Sequence, residues 1–139
     1  MFYAVIDTNV LVSALLNIKS NPGTVLLSVF QGETVPLLNA EILAEYRNVL
    51  ARKKFKFPAE TVEIVINRLI AVGLDISAGR AEYPEVGDPK DCCFFAVAMA
   101  GRHFEDTFLI TGNIRHFPLK PFVVTPAQFV EILQNRKPR

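Results

Sequence analysis

The sequence predicts an α/β domain built on a central, mainly parallel sheet. Short apolar runs at 3–6, 34–38 and 107–111 are too brief for helices and alternate with longer stretches of helical periodicity. Strands that alternate with helices return by crossover connections and therefore pair in parallel. The stretch 92–100, CCFFAVAMA, is apolar on every side. A helix without a polar face is buried on more than one side, as when it lies on a sheet beneath a second helix.

The run 3–6 ends in Asp7, Thr8 and Asn9, poor strand formers, and reads as a buried central strand. Asn21, Pro22 and Gly32 match the N-cap, first-turn proline and terminal glycine of a helix containing Val25, Leu26, Val29 and Phe30. A second strand follows at 34–38. From Asn39 the positions Ile42, Leu43, Tyr46, Val49 and Leu50 recur at helical spacing, as do Val62, Val65, Ile66 and Leu69 after Pro58. Residues 74–76 suit a brief strand, and 79–87, with Pro84, a loop. Asp88-Pro89-Lys90-Asp91 opens the buried helix. A strand at 107–111, a loop at 112–121 and a last strand at 122–124 follow. Thr125-Pro126 then caps a final helix carrying Phe129, Ile132 and Leu133.

At 139 residues the chain has the usual length of a single domain, expected to span 1–139 with a flexible last few residues. Half the residues are apolar and 21% charged, which excludes the composition of a disordered chain. Lys and Arg number 15 against 14 Asp and Glu, so no wholesale nucleic-acid or membrane surface is expected. Any basic function must be local. The densest run is Arg52, Lys53, Lys54 and Lys56, with a smaller one at Arg136, Lys137 and Arg139. The first reads as a solvated helix end favoured by the helix dipole; a phosphate-contacting edge is the alternative. Cys92 and Cys93 are adjacent in an apolar stretch and read as small buried hydrophobes, not as a disulfide framework or zinc site. The N-terminus has no basic leader region, and no apolar run approaches the roughly 20 residues that span a bilayer. A cytoplasmic protein without a membrane partner is the expectation.

In open parallel sheets ligands collect beyond the carboxyl ends of the strands. Two polar clusters stand immediately after strands, Asp7-Thr8-Asn9 and Thr111-Gly112-Asn113, and Asp91 reaches the same end if the buried helix packs beside the first strand. Glu45 borders the apolar stripe of its helix, whereas Glu41 projects to solvent, so a buried site would use Glu45. Each residue has a plainer role available. Asp7 could cap a turn, Asp88 and Asp91 have the spacing of an N-cap and an acidic N3 residue, Glu45 alone is an ordinary helix glutamate, and His116 an exposed loop histidine. Together the carboxylates suit a hard cation such as Mg²⁺ or Mn²⁺, which is held by a few carboxylates, waters and substrate phosphates. No glycine-rich phosphate loop of a kinase or NTPase is present. Metal-assisted phosphodiester hydrolysis is the reaction that remains.

The segments VIDTNVLVSALL, ILAEYRNVL, DPKDCCFFAVAMA, ITGNIRHF and TPAQFVEIL run from the first strand to the last helix. In them the chain resembles the PIN-domain ribonucleases, in particular the toxin branch of toxin–antitoxin pairs. The resemblance implies a three-layer α/β/α fold whose acidic cluster binds Mg²⁺ or Mn²⁺ and hydrolyses single-stranded RNA, leaving a 5′-phosphate and a 3′-hydroxyl. Residue by residue it implies a catalytic set of Asp7, Glu45, Asp91 and Asn113. Asp7, Asp91 and Asp88 would hold metal, Asp88 matching a frequent extra acid beside Asp91. Asn113 departs from the family, which more often has aspartate there; asparagine keeps an oxygen ligand but loses the charge that would help hold a second cation. Thr8 and Asn9 would orient ligands around Asp7, with Thr111, Arg115 and His116 on the substrate side. A homodimer and a small antitoxin inserting a segment near the acidic site follow from the same resemblance.

Two other readings compete. The haloacid-dehalogenase-like phosphatases also place an aspartate after the first strand, but their second aspartate, two residues on, is Asn9 here. A non-catalytic PIN-fold binding module is made reasonable by Asn113 and opposed by Asp7, Glu45 and Asp91.

Overall fold

Strand β1 (Phe2–Ile6) is buried at four of its five positions, which requires cover on both faces of its sheet. The structure is a computed structural model that describes residues 1–76, 86 and 88–135. In it β1 is the middle strand of a five-stranded, all-parallel sheet. Its companions are β2 (Thr34–Leu38), β3 (Leu74–Asp75), β4 (Thr107–Ile110) and β5 (Val123–Val124), in the order β3-β2-β1-β4-β5. Among the described residues six α-helices flank it: α1 (Thr8–Leu16), α2 (Asn21–Phe30), α3 (Ala40–Leu50), α4 (Ala59–Val72), α5 (Cys92–Gly101) and α6 (Pro126–Asn135). Together they form the three-layer α/β/α arrangement expected.

Helix α5 crosses β1, β2 and β4 and also meets α3, whereas α2 packs with α1, α4 and α6. Phe94 through Ala98 are five consecutive buried residues, as an all-round apolar helix demands. Gly101 ends α5 where the helix approaches the sheet: a Cβ there would stand 2.4 Å from Leu37 Cδ2 and 2.9 Å from Thr107 Oγ1.

Helix α1 has no counterpart among the expected elements. Asp7, expected to end a strand, is also its N-cap, its carboxylate accepting from Thr8 N. Helix α2 is capped by Ser20 rather than Asn21; the Ser20 hydroxyl accepts from Gly23 N at 3.2 Å, which moves Asn21 and Pro22 into the first turn. Gly32 follows with φ +82°, the left-handed geometry that turns the chain into β2. Strands β4 and β5 are each one residue shorter than expected, yet Thr111 N still donates to Val124 O. Ile76, expected in β3, lies beyond it but donates to Leu38 O at 2.7 Å. The expected loop at 79–87 and the basic residues Arg136, Lys137 and Arg139 lie outside the described residues, apart from Val86, which is buried.

Candidate active site

In the β1–β4 ladder Ile6 pairs with Ile110, so the next residues of each strand emerge side by side. Asp7 N extends the pairing by donating to Ile110 O at 2.9 Å. Its carboxylate is held on both oxygens. Thr8 N donates to Oδ1 at 2.8 Å and the Thr111 hydroxyl to Oδ2 at 2.7 Å. Thr111 Oγ1 in turn accepts from Asn113 N at 3.0 Å, and Asn9 Oδ1 accepts from Gly112 N at 3.1 Å. The two polar clusters are thus laced together across the sheet end. Each carboxylate oxygen of Asp7 keeps one lone pair beyond these bonds.

Two helices complete the site. Tyr46 of α3 is fully buried, its hydroxyl donating to the Ile6 carbonyl and its ring meeting Phe94 of α5 at 6.1 Å. This anchor fixes α3 against the end of β1 and leaves its neighbour Glu45 at the edge of an open cleft of about 420 Å³. Asp7, Glu45, Asp88, Asp91, Asn113 and His116 all line that cleft, as do Thr8 and Asn9. Glu41 is exposed and not part of the wall. Thr111 acts from behind, through Asp7. Arg115 is exposed on the 3₁₀ turn Ile114–His116 and does not line the cleft.

The two capping roles open to the acidic pair separate here. Asp88 is exposed and its Oδ1 accepts from Lys90 N at 2.9 Å, stabilising the 3₁₀ turn Pro89–Asp91. Asp91 sits at the N-cap of α5 but makes no side-chain capping bond. Its carboxylate is not consumed by the helix.

Burial lifts the Asp91 carboxyl to about 6, aided by the negative charges of Asp7 and Asp88. His116, with Nδ1 3.6 Å from Asp91 Oδ2, works against the shift. Burial also raises Asp7, opposed by its bonds from Thr111 and Thr8. Tyr46 is raised well above the ordinary phenol range by burial and then by the charge of Asp7. The site is therefore a set of confined, mutually repelling carboxylates, an environment that favours a cation. Cys93, by contrast, is pushed up to about 12 by burial and by Glu41 and Glu45, which keeps it a thiol and no nucleophile.

Among the described residues no three His, Cys, Asp or Glu side chains converge into a ready-made ion cage, so Asp7, Asp88 and Asp91 share the cleft without forming one. Such a set fits Mg²⁺ or Mn²⁺ only in the mode where one or two carboxylates anchor an ion that keeps waters and takes substrate oxygens. In that mode Asp7 and Asp91 would be the two, since Asp88 is exposed and already caps the turn at Lys90. Thr8 Oγ1, buried beside Asp7, has no hydrogen-bond partner among the described residues.

Sequence reading overlooked part of the wall. Ser13 of α1, Arg52 and Phe55 after α3, and Lys90 beside Asp91 all line the cleft. Only the basic run hinted at Arg52, and its position after a helix favoured the solvated reading.

A family model described as the PIN domain matches residues 3–115, a span that runs from β1 into the turn after β4 and holds every acidic residue of the cleft. No curated protein and no solved structure gives a significant match.

Proposed function

The chain belongs to the PIN-domain family, whose members are generally nucleases, and from that premise we propose that it is a divalent-metal-dependent endoribonuclease hydrolysing single-stranded RNA. The observation that carries the proposal is the pairing of Asp7 and Asp91 in one cleft with neither carboxylate neutralised by Lys or Arg among the described residues. In this reading Asp7 and Asp91 hold Mg²⁺ or Mn²⁺, with Asp88 and Asn113 as further oxygen donors. A bound divalent ion supplies charge neutralisation at the phosphate and lowers the pKa of water.

The chain's own groups do the rest. Thr111 and Thr8 N fix the Asp7 carboxylate so that it cannot rotate away. Glu45, on the cleft wall, accepts the proton of the attacking water. His116, beside Asp91, contacts the phosphate. By the same family reasoning the protein is a cytoplasmic toxin, homodimeric, and restrained by a small antitoxin that enters the acidic cleft.

The test is cleavage of mixed single-stranded RNA with Mn²⁺, Mg²⁺ or EDTA by the wild type, Asp7→Asn and Asp91→Asn. Metal-dependent cutting lost in both variants supports the reading. Folded protein, free of antitoxin, that cuts nothing with either metal supports instead a PIN-fold binding module, the alternative favoured by the uncharged Asn113.

A further inference from the structure

Between α3 and α4 the chain reads Arg52-Lys53-Lys54-Phe55-Lys56-Phe57. The 3₁₀ turn Lys53–Phe55 ends at Lys56, which adopts the left-handed conformation at φ 57°. That reversal brings Phe55 and Phe57 together, their rings stacked at 5.7 Å and 16°. Lys54 Nζ stands 5.1 Å from the Phe55 ring. Arg52, Lys53, Lys54 and Lys56 are all exposed, and among the described residues none is in an ion pair. The helix dipole accounts for positive charge beside the last turn of α3, but its influence fades beyond that turn. It does not account for the ring pair or for where the run lies.

Its place decides its meaning. Arg52 and Phe55 line the same cleft as Asp7, Glu45 and Asp91. An acidic floor repels a phosphodiester chain, so a polyanion entering the cleft gains its attraction from the cationic part of the wall. A half-buried phenyl ring backed by a second ring offers a rigid apolar face at little entropic cost, and every unpaired base can stack on such a face. Bases in a duplex cannot, because their faces are already stacked.

We propose that Arg52, Lys54 and Phe55 form a nucleotide subsite for single-stranded RNA, with Arg52 and Lys54 on backbone phosphates and Phe55 stacking a base next to the acidic centre. Phe57 backs the ring and holds its orientation. The inference rests on the ribonuclease reading for its choice of RNA. It adds to that reading where the strand lies and why the site selects single strands without reading their sequence.

The experiment is fluorescence anisotropy of a labelled oligoribonucleotide about twelve nucleotides long, within the span such a surface covers, in EDTA so that cleavage is silent. The same oligonucleotide annealed to its complement serves as the duplex. The wild type is expected to prefer the single strand. Phe55→Leu should weaken binding roughly tenfold with the melting temperature unchanged, and Phe55→Trp should restore it. Arg52→Gln should weaken binding and reduce the salt slope by about one charge. Equal affinity for all variants would overturn the subsite while leaving the ribonuclease reading intact. Binding of an acidic peptide but not of RNA would overturn it in favour of a protein-docking surface. The expected losses in a protein that cuts nothing with Mn²⁺ would keep the subsite and remove the nuclease.

Discussion

The Thr111 hydroxyl donates to Asp7 Oδ2 at 2.7 Å, joining residues 104 positions apart at the carboxyl ends of adjacent strands. Thr111 is fully buried and its oxygen also accepts from Asn113 N, so one hydroxyl positions both an acid and the asparagine of the site. Thr111→Val removes a bond to a charged group and leaves Asn113 N without this acceptor. The expected cost is about 2 kcal/mol of stability. The Asp7 carboxyl should rise further, because the bond that lowers it is gone. Loss of an outer partner of this kind lowers metal affinity by roughly 10–100-fold. Urea unfolding and Mn²⁺ titration calorimetry measure both effects, and Thr111→Ser should recover them. A Val variant as stable and as tight as wild type would show that the bond positions nothing.

The Asp91 carboxyl makes stability depend on pH. Its folded value of about 6 lies above the ordinary 3.8, so the folded state binds this proton more tightly than the unfolded chain. The resulting penalty is fully present above about pH 6 and fades as pH falls through that value towards 3.8. Its ceiling follows from the shift, but part of the side chain meets solvent, which screens the charges, so roughly 1–2 kcal/mol is expected at neutral pH. In EDTA, Asp91→Asn should therefore melt higher than wild type at neutral pH, with the difference shrinking as pH falls towards 5. A difference that grows on acidification would contradict the assignment.

The sheet and most helices were legible because their signals are local. Thr34–Leu38 is a short apolar run, and Ile42, Tyr46, Val49 and Leu50 recur at helical spacing. Helix α1 escapes because VLVSALL carries apolar residues almost all round and shows no stripe, while Asp7 reads as the cap of a turn and not of a helix. The cap of α2 falls on Ser20 and not on Asn21 because both residue types are good caps and only the backbone chooses between them. At the site, Asp7, Glu45 and Asp91 were found from strand ends and helical projection. Arg52 and Phe55 were not, because their approach to the cleft depends on where the chain travels after α3, and no local pattern encodes that path.

Tyr46 joins the fold to the site, since its hydroxyl donates to the carbonyl immediately before Asp7. Tyr46→Phe leaves the ring packing against Phe94 but removes that donor in a fully buried place. A loss of about 1–2 kcal/mol is expected by chemical denaturation. Because α3 also carries Glu45, the turnover number should fall more than substrate affinity. A variant with lowered stability but unchanged turnover would limit Tyr46 to a structural role.

Asn113 tests how charge governs the centre. It lines the cleft with His116, and its backbone N–H donates to Thr111, the residue two positions before it that holds Asp7. Asn113→Asp keeps the size and one oxygen donor while adding a negative charge to the cleft of Asp91, whose carboxyl is already raised by burial and by Asp7 and Asp88. Without metal that charge should raise the Asp91 carboxyl further and lower stability at neutral pH by roughly 1 kcal/mol, a typical size for like charges in a partly solvated site. With Mn²⁺ the sign should reverse, since an added carboxylate strengthens the hold on a hard cation and ligand binding to the folded state stabilises it. The variant should therefore melt below wild type in EDTA and gain more from saturating Mn²⁺. Thermal scans of both proteins under the two conditions decide it. Equal metal-induced gains would mean that Asn113 stands too far from the ion to sense it, and that Asp7 and Asp91 act without it.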